Sequence, residues 1–344
     1  MTVAEPNLRH DSFGPFFMNA PEFISVFDEH GAKASSFDSK QLLYHYTNGD
    51  GLKGIAESGK IWATHHEHTN DFTEVKYGLE LALREIRSRL PAPDDVKYHF
   101  EDVFRPESSL EPSHLLLELL QAMIVQTERT FDFFIACFSE EGNLLSQWRA
   151  YAANAAGYSI GYLGRDLATI PQRSTFEVPI QLFSVIYEAD EQSKFIRAVL
   201  DLLSKIFRQR VEDIRDSTLR EGFDFKQACR EFVVKFNVYA LKWLLAAATR
   251  IKHRGFREER EWRLVFPVNT RHPDKPELPI LHRTVDGGRI PYVAIPLQSH
   301  ARQIWIGPRR SELKSEASDD AVRSLFESND LAVPEVLPSG IPYR

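Results

Sequence analysis

The spacing of hydrophobic and polar positions changes several times along the chain, and each change predicts an element. Residues 42–47 (LLYHYT) alternate as a strand does, with His45 on one face and Tyr44 and Tyr46 on the other. A short helix should follow, because an asparagine can cap its first turn and Gly59 can end it. A second strand is expected directly after that glycine.

The rest of the chain mixes strand and helix periods without regular alternation. Apolar residues recur at helical spacing across residues 190–252, which predicts two long helices packed against each other. A strand pattern returns at residues 261–266 (EWRLVF), and a final helix is expected after Ser311. This order favours an α+β fold, a mixed β core with a long two-helix insertion and a C-terminal helix. We expect residues 1–40 to form an irregular N-terminal arm and residues 41–344 a single domain.

Composition and charge narrow the class of protein. Of the 344 residues, 43% are hydrophobic and 26% are charged, as in soluble globular proteins. The net charge of -7 argues against a general nucleic-acid coat protein but leaves room for a local basic cleft. Cys137 and Cys229 are too few and too far apart for a disulfide framework or a zinc site. With no signal peptide and no apolar run of membrane length, we expect a reducing cytoplasm and no membrane partner.

The strand pattern EREWRLVF carries the most informative polar residues. Extended backbone places Trp262 and Leu264 towards the core, and Glu261 and Arg263 on the other side. A carboxylate and a guanidinium two residues apart can form a polar surface that faces a cleft. They can equally form a structural ion pair on an exposed sheet face, and both interpretations stay open.

A structural and a functional interpretation are likewise both open for three side chains with rings, His45, Trp148 and Tyr151. His45 precedes a helix N-terminus, whose free N–H groups suit a phosphate, but a lone strand histidine is more often a satisfied core residue. Trp148 and Tyr151 lie three residues apart on one helix face, where aromatics either pack in the core or stack on a flat ring. The segment THHEHTND is expected to be a solvated loop rather than a metal site, because adjacent loop positions seldom converge on one ion.

Several segments, taken in order, resemble a known family. They are LLYHYTNGDGLKGIAESGKIWAT, ND followed by TE, IACFSE, LLSQWRAYA, GYSIGY, VIYE, EEREWRLVF and IWIGP. Their order is similar to that of the uncharacterised bacterial family catalogued as domain of unknown function 2971 (DUF2971). The resemblance runs from about residue 42 to the C-terminus, and this family has no settled activity.

A more distant resemblance is to the ADP-ribosyltransferase fold, in which a first-strand histidine or arginine and a late-strand glutamate hold NAD. It implies an ADP-ribosyltransferase-like mixed β core with His45 on the NAD ribose and Glu261 as the catalytic carboxylate. Here Trp62 stands at the place of the second-strand tyrosine, and the usual serine-threonine-serine strand is not evident. The residues implied to bind the NAD are Tyr44, Tyr46, Thr47, Trp148, Tyr151 and Arg263.

The leading hypothesis is therefore an NAD-dependent ADP-ribosyltransferase-like enzyme that modifies a macromolecule (protein, DNA or RNA), as a toxin or in phage defence. One alternative is a metal-dependent nuclease or other hydrolase that uses Asp71, Glu74, Glu259 and Glu261. The sequence shows no lysine near the late-strand carboxylates for that chemistry. Another alternative is a non-catalytic sensor or interaction module. On the leading hypothesis, His45 and Glu261 should meet across one cleft.

Overall fold

A computed structural model of the chain describes twelve stretches of the sequence. Asp71 and most of the predicted N-terminal arm lie outside them, so the role predicted for Asp71 stays a prediction. The stretches are residues 20–31, 37–38, 40–68, 73–91, 99–126, 132–170, 181–218, 223–268, 279–285, 288–297, 300–311 and 315–343.

Within these stretches the fold is mixed α+β, as the periodicity predicts, with ten α-helices and ten strands. The helices are Ala20–Glu29 (α1), Gly49–Ser58 (α2), Thr73–Arg87 (α3), Pro112–Gln126 (α4), Leu145–Tyr151 (α5), Gly164–Leu167 (α6), Ala189–Ser217 (α7), Phe225–Ala248 (α8), Pro308–Ser311 (α9) and Ser315–Glu327 (α10). The strands are Leu42–Thr47 (β1), Lys60–His65 (β2), Asp132–Ser139 (β3), Tyr158–Leu163 (β4), Gln181–Ser184 (β5), Glu261–Val268 (β6), Ile280–Val285 (β7), Gly288–Pro296 (β8), Gln303–Ile306 (β9) and Glu335–Pro338 (β10).

The strands form one mixed sheet in the order β10-β9-β4-β1-β3-β2-β8-β7, and β6 lies between β3 and β5. Only the β10–β9 pair is parallel among these strands. One edge of β3 pairs with β6 along its whole length. Its other edge pairs with β1 at Ser139 and with β2 at Phe134 and Ile135. β1 and β2 therefore separate from each other along residues 136–138 of β3, and we call this gap the fork.

The two faces of the sheet bury different cores. Phe133, Ile135 and Val265 point into a large core shared with the helical layer of α1, α3, α4, α7 and α8. Phe134, Leu264 and Trp262 point the other way, into a second core with α2 and α10. The alternation of side chains along β3 and β6 thus decides which residues can share a site.

The inserted helices α7 and α8 pack against each other, which confirms the predicted pair of long helices. The expectation of an irregular N-terminal arm is wrong for α1. That helix docks on α8, where the ring of Phe23 stacks on Trp243 with centroids 4.2 Å apart. Burying two aromatic rings explains why this helix is ordered against the body. In the twelve stretches, no helix combines the length and apolarity that crossing a bilayer requires.

Candidate active site

Tyr44, Ser139 and Glu261 lie in register on three adjacent strands, β1, β3 and β6. Paired residues of antiparallel strands project from the same face of the sheet, so these three side chains share one face. His45 is the next residue along β1 and pairs with Ile160. Its side chain therefore projects from the opposite face. The prediction that His45 and Glu261 meet across one cleft is wrong, and the two do not form a catalytic pair.

His45 fills the fork instead. Its Nδ1 lies 3.0 Å from the carbonyl oxygen of Cys137, and its ring lies 5.8 Å from that of Phe138. The carbonyl can only accept, so Nδ1 carries the proton that it donates. Burial lowers the pKa of His45, and the nearby Arg283 guanidinium lowers it further. This histidine satisfies a strand carbonyl at the edge of β3 that has no neighbouring strand along residues 136–138.

Glu261 lies at the centre of a buried ion network. Its side chain is 6% exposed, and Arg263 grips it through two hydrogen bonds, Nε to Oε1 at 2.8 Å and Nη2 to Oε2 at 2.9 Å. Lys252 adds a third cationic contact, with Nζ 3.0 Å from Oε2. Burial raises the pKa of this carboxyl, but attraction to Arg263 and Lys252 outweighs burial and lowers the pKa to about 2. Glu261 therefore carries its negative charge at every physiological pH.

The same lysine joins a second carboxylate to the network. Nζ of Lys252 lies 2.6 Å from Oε2 of Glu259, whose pKa is raised by burial. Two cations and two anions thus share one enclosed site, and such networks persist only when every charge has partners. The ion pair of β6 exists as one interpretation predicted, but it is buried rather than on an exposed sheet face. The absence of a lysine near the late-strand carboxylates, inferred from the sequence, is contradicted by Lys252.

Arg263 cannot take its predicted role of binding NAD in this arrangement. Its side chain is 3% exposed, and it bonds Glu261 through Nε and Nη2. Nη1 donates to the carbonyl oxygen of Thr249 at 2.6 Å. A ligand phosphate would have to displace these protein partners, so Arg263 positions Glu261.

The predicted aromatic residues lie on the Glu261 face, but most are occupied by the protein. Trp148 is completely buried, packs edge-on against Tyr46 at 4.9 Å and donates from Nε1 to Asn143. The core alternative therefore holds for Trp148. Tyr46 donates to the carbonyl oxygen of Glu141 at 2.7 Å.

Tyr44 and Thr47 also have protein neighbours, whereas Tyr151 lies beside the ion network. The hydroxyl of Tyr44 donates to Oε1 of Gln303 at 2.8 Å, and Thr47 pairs with Tyr158 of β4. Burial raises the pKa of Tyr151, and Lys252, Glu259 and Glu261 all act on that pKa electrostatically. Of the predicted aromatic set, Tyr151 is thus the residue that the fold brings near Glu261.

An open pocket of about 760 Å³ lies where β6 begins. That volume falls within the range of small-molecule sites. Glu261 is the one residue of the predicted site among those that line it. The others include Tyr187, Trp262, Arg254, Arg257 and Glu258. Tyr187 accepts a hydrogen bond from the backbone N–H of Glu261 at 3.0 Å.

Sequence reasoning missed Lys252 and Tyr187 as parts of this site. Each belongs to a connection rather than to a strand. Tyr187 follows β5, which pairs with β6, and Lys252 follows Ile251, which pairs with Ile186; periodicity could not predict either pairing. The signal for Lys252 in the sequence was its place in the short, largely polar segment that follows a long apolar helix. Among the described residues, no group of three or more His, Cys, Asp and Glu side chains could hold a metal ion.

Comparison with known proteins gives a match to one family over about a third of the chain and no activity. No curated protein and no solved structure matches the chain. The likeness to ADP-ribosyltransferases therefore stays a prediction. One family model matches residues 147–264. This stretch contains the whole ion network as well as Tyr151 and Tyr187, but not the fork residue His45. Residues 147–264 match the family described as Protein of unknown function (DUF2971), as the order of motifs predicts.

Proposed function

We propose that the chain is an NAD-dependent ADP-ribosyltransferase-like enzyme in which Glu261 is the catalytic carboxylate and the acceptor is a macromolecule. One observation carries the proposal: an ionised, preorganised glutamate stands at the wall of a pocket of about 760 Å³. Ligand sites in proteins have this size, and functional carboxylates are commonly found where burial and charge shift the pKa. The toxin or phage-defence role belongs to the same proposal and rests on the family resemblance alone.

The reaction makes specific demands on the protein. The bond between C1′ of the ribose and the nicotinamide nitrogen breaks, and its electron pair leaves with neutral nicotinamide. Positive charge then builds on the ribose, an acceptor oxygen or nitrogen forms the new bond to C1′, and the proton of the acceptor passes to water. A fixed negative charge beside the ribose stabilises that transition state more than the ground state.

The surroundings of Glu261 suit that task in two ways. With a pKa of about 2, the carboxylate stays charged without depending on pH. Arg263 and Lys252 hold it in one orientation, so it needs no reorganisation when charge develops. The charges of these cations are offset within the network by Glu259, which limits their repulsion of a ribosyl cation.

His45 has no part in this proposal, because it projects from the other face. The exposed guanidinium groups of Arg254 and Arg257 line the pocket and are the proposed contacts for the NAD diphosphate. Tyr187 lines the same pocket beside Glu261 and is the proposed aromatic neighbour of nicotinamide. These assignments replace Arg263 and Trp148.

A metal-dependent hydrolase is a second candidate, and Lys252 favours it. A lysine beside two carboxylates can polarise or orient a phosphate in hydrolysis. The non-catalytic alternative is favoured by the way the cations already neutralise both carboxylates. The three differ in what they consume: NAD, a phosphodiester with a divalent metal, or nothing.

The test incubates the full chain with NAD labelled in its adenylate half, together with protein, DNA and RNA acceptors. Release of nicotinamide and transfer of label support the proposal, and Glu258→Gln is the matched control because that exposed carboxylate lines the same pocket. Parallel reactions with Mg²⁺ or Mn²⁺ and a labelled oligonucleotide score the hydrolase. Cleavage that requires metal, with no use of NAD, would replace the proposal by that candidate.

A further inference from the structure

A second surface with unused binding groups lies on the far side of the fork, on strands β2, β8 and β7. Register places Thr64 beside Tyr292 and Tyr292 beside Leu281, so these side chains share one face. Trp62 and Arg283 belong to the same face. We call this surface the aromatic–arginine face, and its members are Lys60, Trp62, Thr64, Leu281, Arg283, Ile290 and Tyr292.

Two aromatic rings of this face form an open platform. Trp62 is 36% exposed, and its ring lies 4.5 Å from that of Tyr292 at an angle of 33°. Leu281 next to them is 39% exposed. Large apolar side chains grouped on a sheet face indicate a surface that contacts another molecule.

Arg283 supplies a cation to the platform, and no carboxylate among the described residues forms an ion pair with it. Its guanidinium carbon lies 5.6 Å from the centre of the Trp62 ring, and Nη2 donates to the hydroxyl of Thr64 at 3.2 Å. Its Nε is buried and has no acceptor within the part of the chain that the structure describes. Arg283 as a whole is only partly buried, so a phosphate could approach its guanidinium from the solvent side and balance its charge.

The charge of the face stands out against the rest of the chain. The chain as a whole carries 49 acidic and 42 basic residues. Of the seven members that define the aromatic–arginine face, Lys60 and Arg283 are basic and none is acidic. Lys60 is exposed at the start of β2, about 13 Å along the strand from Thr64 and Arg283, and Trp62 lies between them. Cations flanking an exposed aromatic ring match a backbone of phosphates with a base stacked between them.

We infer that the aromatic–arginine face binds single-stranded nucleic acid, with a base stacked on Trp62 and a phosphate held by Arg283. Duplex nucleic acid fits less well, because its bases are already stacked on each other. A free mononucleotide also fits less well, because an open sheet face encloses little of a small ligand. The inference deepens the proposed function, because the bound strand would be the macromolecule that accepts ADP-ribose. Only this acceptor role rests on the proposed function, and the binding itself does not.

The experiment measures binding without NAD, so its failure can be told apart from failure of the proposed reaction. Fluorescence anisotropy follows the intact chain binding to a labelled single strand of about 12 nucleotides, as RNA and as DNA, from about 50 to 200 mM salt. Trp62→Leu should weaken binding about 5-fold to 100-fold, the range for loss of one stacked base, and Trp62→Phe should restore most of it. Thermal melting checks that each variant is folded.

Arg283→Gln gives an independent measure through the salt dependence. Loss of one phosphate contact should lower the slope of log affinity against log salt by about 0.7 for a single strand. Arg323→Gln is the matched control, because that arginine is exposed on α10 and paired with Asp319 away from this face. It should leave both affinity and slope unchanged.

Several outcomes would overturn the inference. Equal or tighter binding of a duplex would remove the stacking role of Trp62. Competition by AMP at the affinity of the strand would make the site one for free nucleotides. Binding of an acidic peptide in place of the strand would make it a protein contact. Wild-type affinity in folded Trp62→Leu and Arg283→Gln would show that any binding lies elsewhere.

Discussion

Nζ of Lys252 lies 3.0 Å from Oε2 of Glu261, although the lysine follows helix α8 and the glutamate begins strand β6. The lysine also contacts Glu259, and the glutamate also contacts Arg263, so this one distance links four buried charges. Removing one member leaves the others with too few partners. A substitution at one of these four residues should therefore change the free energy of unfolding as well as any activity.

Glu261→Gln should destabilise the fold. The change keeps the shape of the side chain but leaves Arg263 and Lys252 with one anion fewer in a buried site. Breaking a buried pair in this way costs about 3–5 kcal/mol of unfolding free energy. Urea unfolding of the variant measures the loss. The carboxylate is a structural partner of two buried cations as well as the proposed catalytic group, so its loss affects stability directly.

Glu258→Gln is the control for that measurement, since Glu258 is exposed three residues away. It should change the unfolding free energy by no more than about 0.5 kcal/mol. A Glu261→Gln protein as stable as Glu258→Gln would mean that the network contributes little.

The contribution of Glu261 to stability should depend on pH in a defined window. Its pKa falls from 4.5 to about 2 on folding, so the ionised form stabilises the folded state above pH 4.5. That contribution disappears as the pH falls towards 2. The difference in unfolding free energy between wild type and Glu261→Gln should therefore shrink from pH 5 to pH 2. A difference that stays constant over this range would contradict the lowered pKa.

His45→Phe should reduce stability without touching the proposed reaction. Phenylalanine cannot donate to the carbonyl oxygen of Cys137, which then lacks this partner at the fork. We expect a loss of about 1–2 kcal/mol in urea unfolding. His282→Phe, at an exposed position of β7, is the control. Abolished NAD turnover in a folded His45→Phe protein would restore the catalytic role that the strand register argues against.

Arg250→Gln should release helix α1 from the body. The Arg250 guanidinium is buried and donates to the carbonyl oxygens of Phe27 and His30 at the end of α1, and to that of Ser184 at 3.0 Å. Losing these bonds should increase the fraction of molecules in which α1 is detached from the body about tenfold. Protease cleavage between α1 and β1 should become faster by the same factor. Arg254→Gln, at an exposed position, should leave the cleavage rate unchanged.

Local signals in the sequence predicted the elements whose causes are local. Helix α2 follows Asn48, whose Oδ1 accepts from the N–H of Gly51 at 2.7 Å, and it ends at Gly59 with φ of 62°. Both are features that the residue types dictate. The long helices α7 and α8 follow from apolar spacing over many turns in the same way.

The site depends on pairing between distant strands, which no local signal encodes. A shift of one residue in register moves every side chain of a strand to the other face. Side-chain alternation predicts the two faces of β1 and of β6 separately, but only β3 between them determines that Tyr44, and not His45, shares the face of Glu261. The position of Lys252 depends likewise on how the connection after α8 returns to the sheet.

The most direct test of the central claim is nicotinamide release from NAD by a variant that loses the carboxylate but keeps the charges balanced. Glu261→Gln combined with Arg263→Met removes one anion and one cation and leaves the buried pair of Lys252 and Glu259, 2.6 Å apart, intact, so the fold should survive. The proposal predicts that release falls by about two to three orders of magnitude relative to wild type and Glu258→Gln. Release at the wild-type rate by the folded double variant, or none from the wild-type chain, would contradict it.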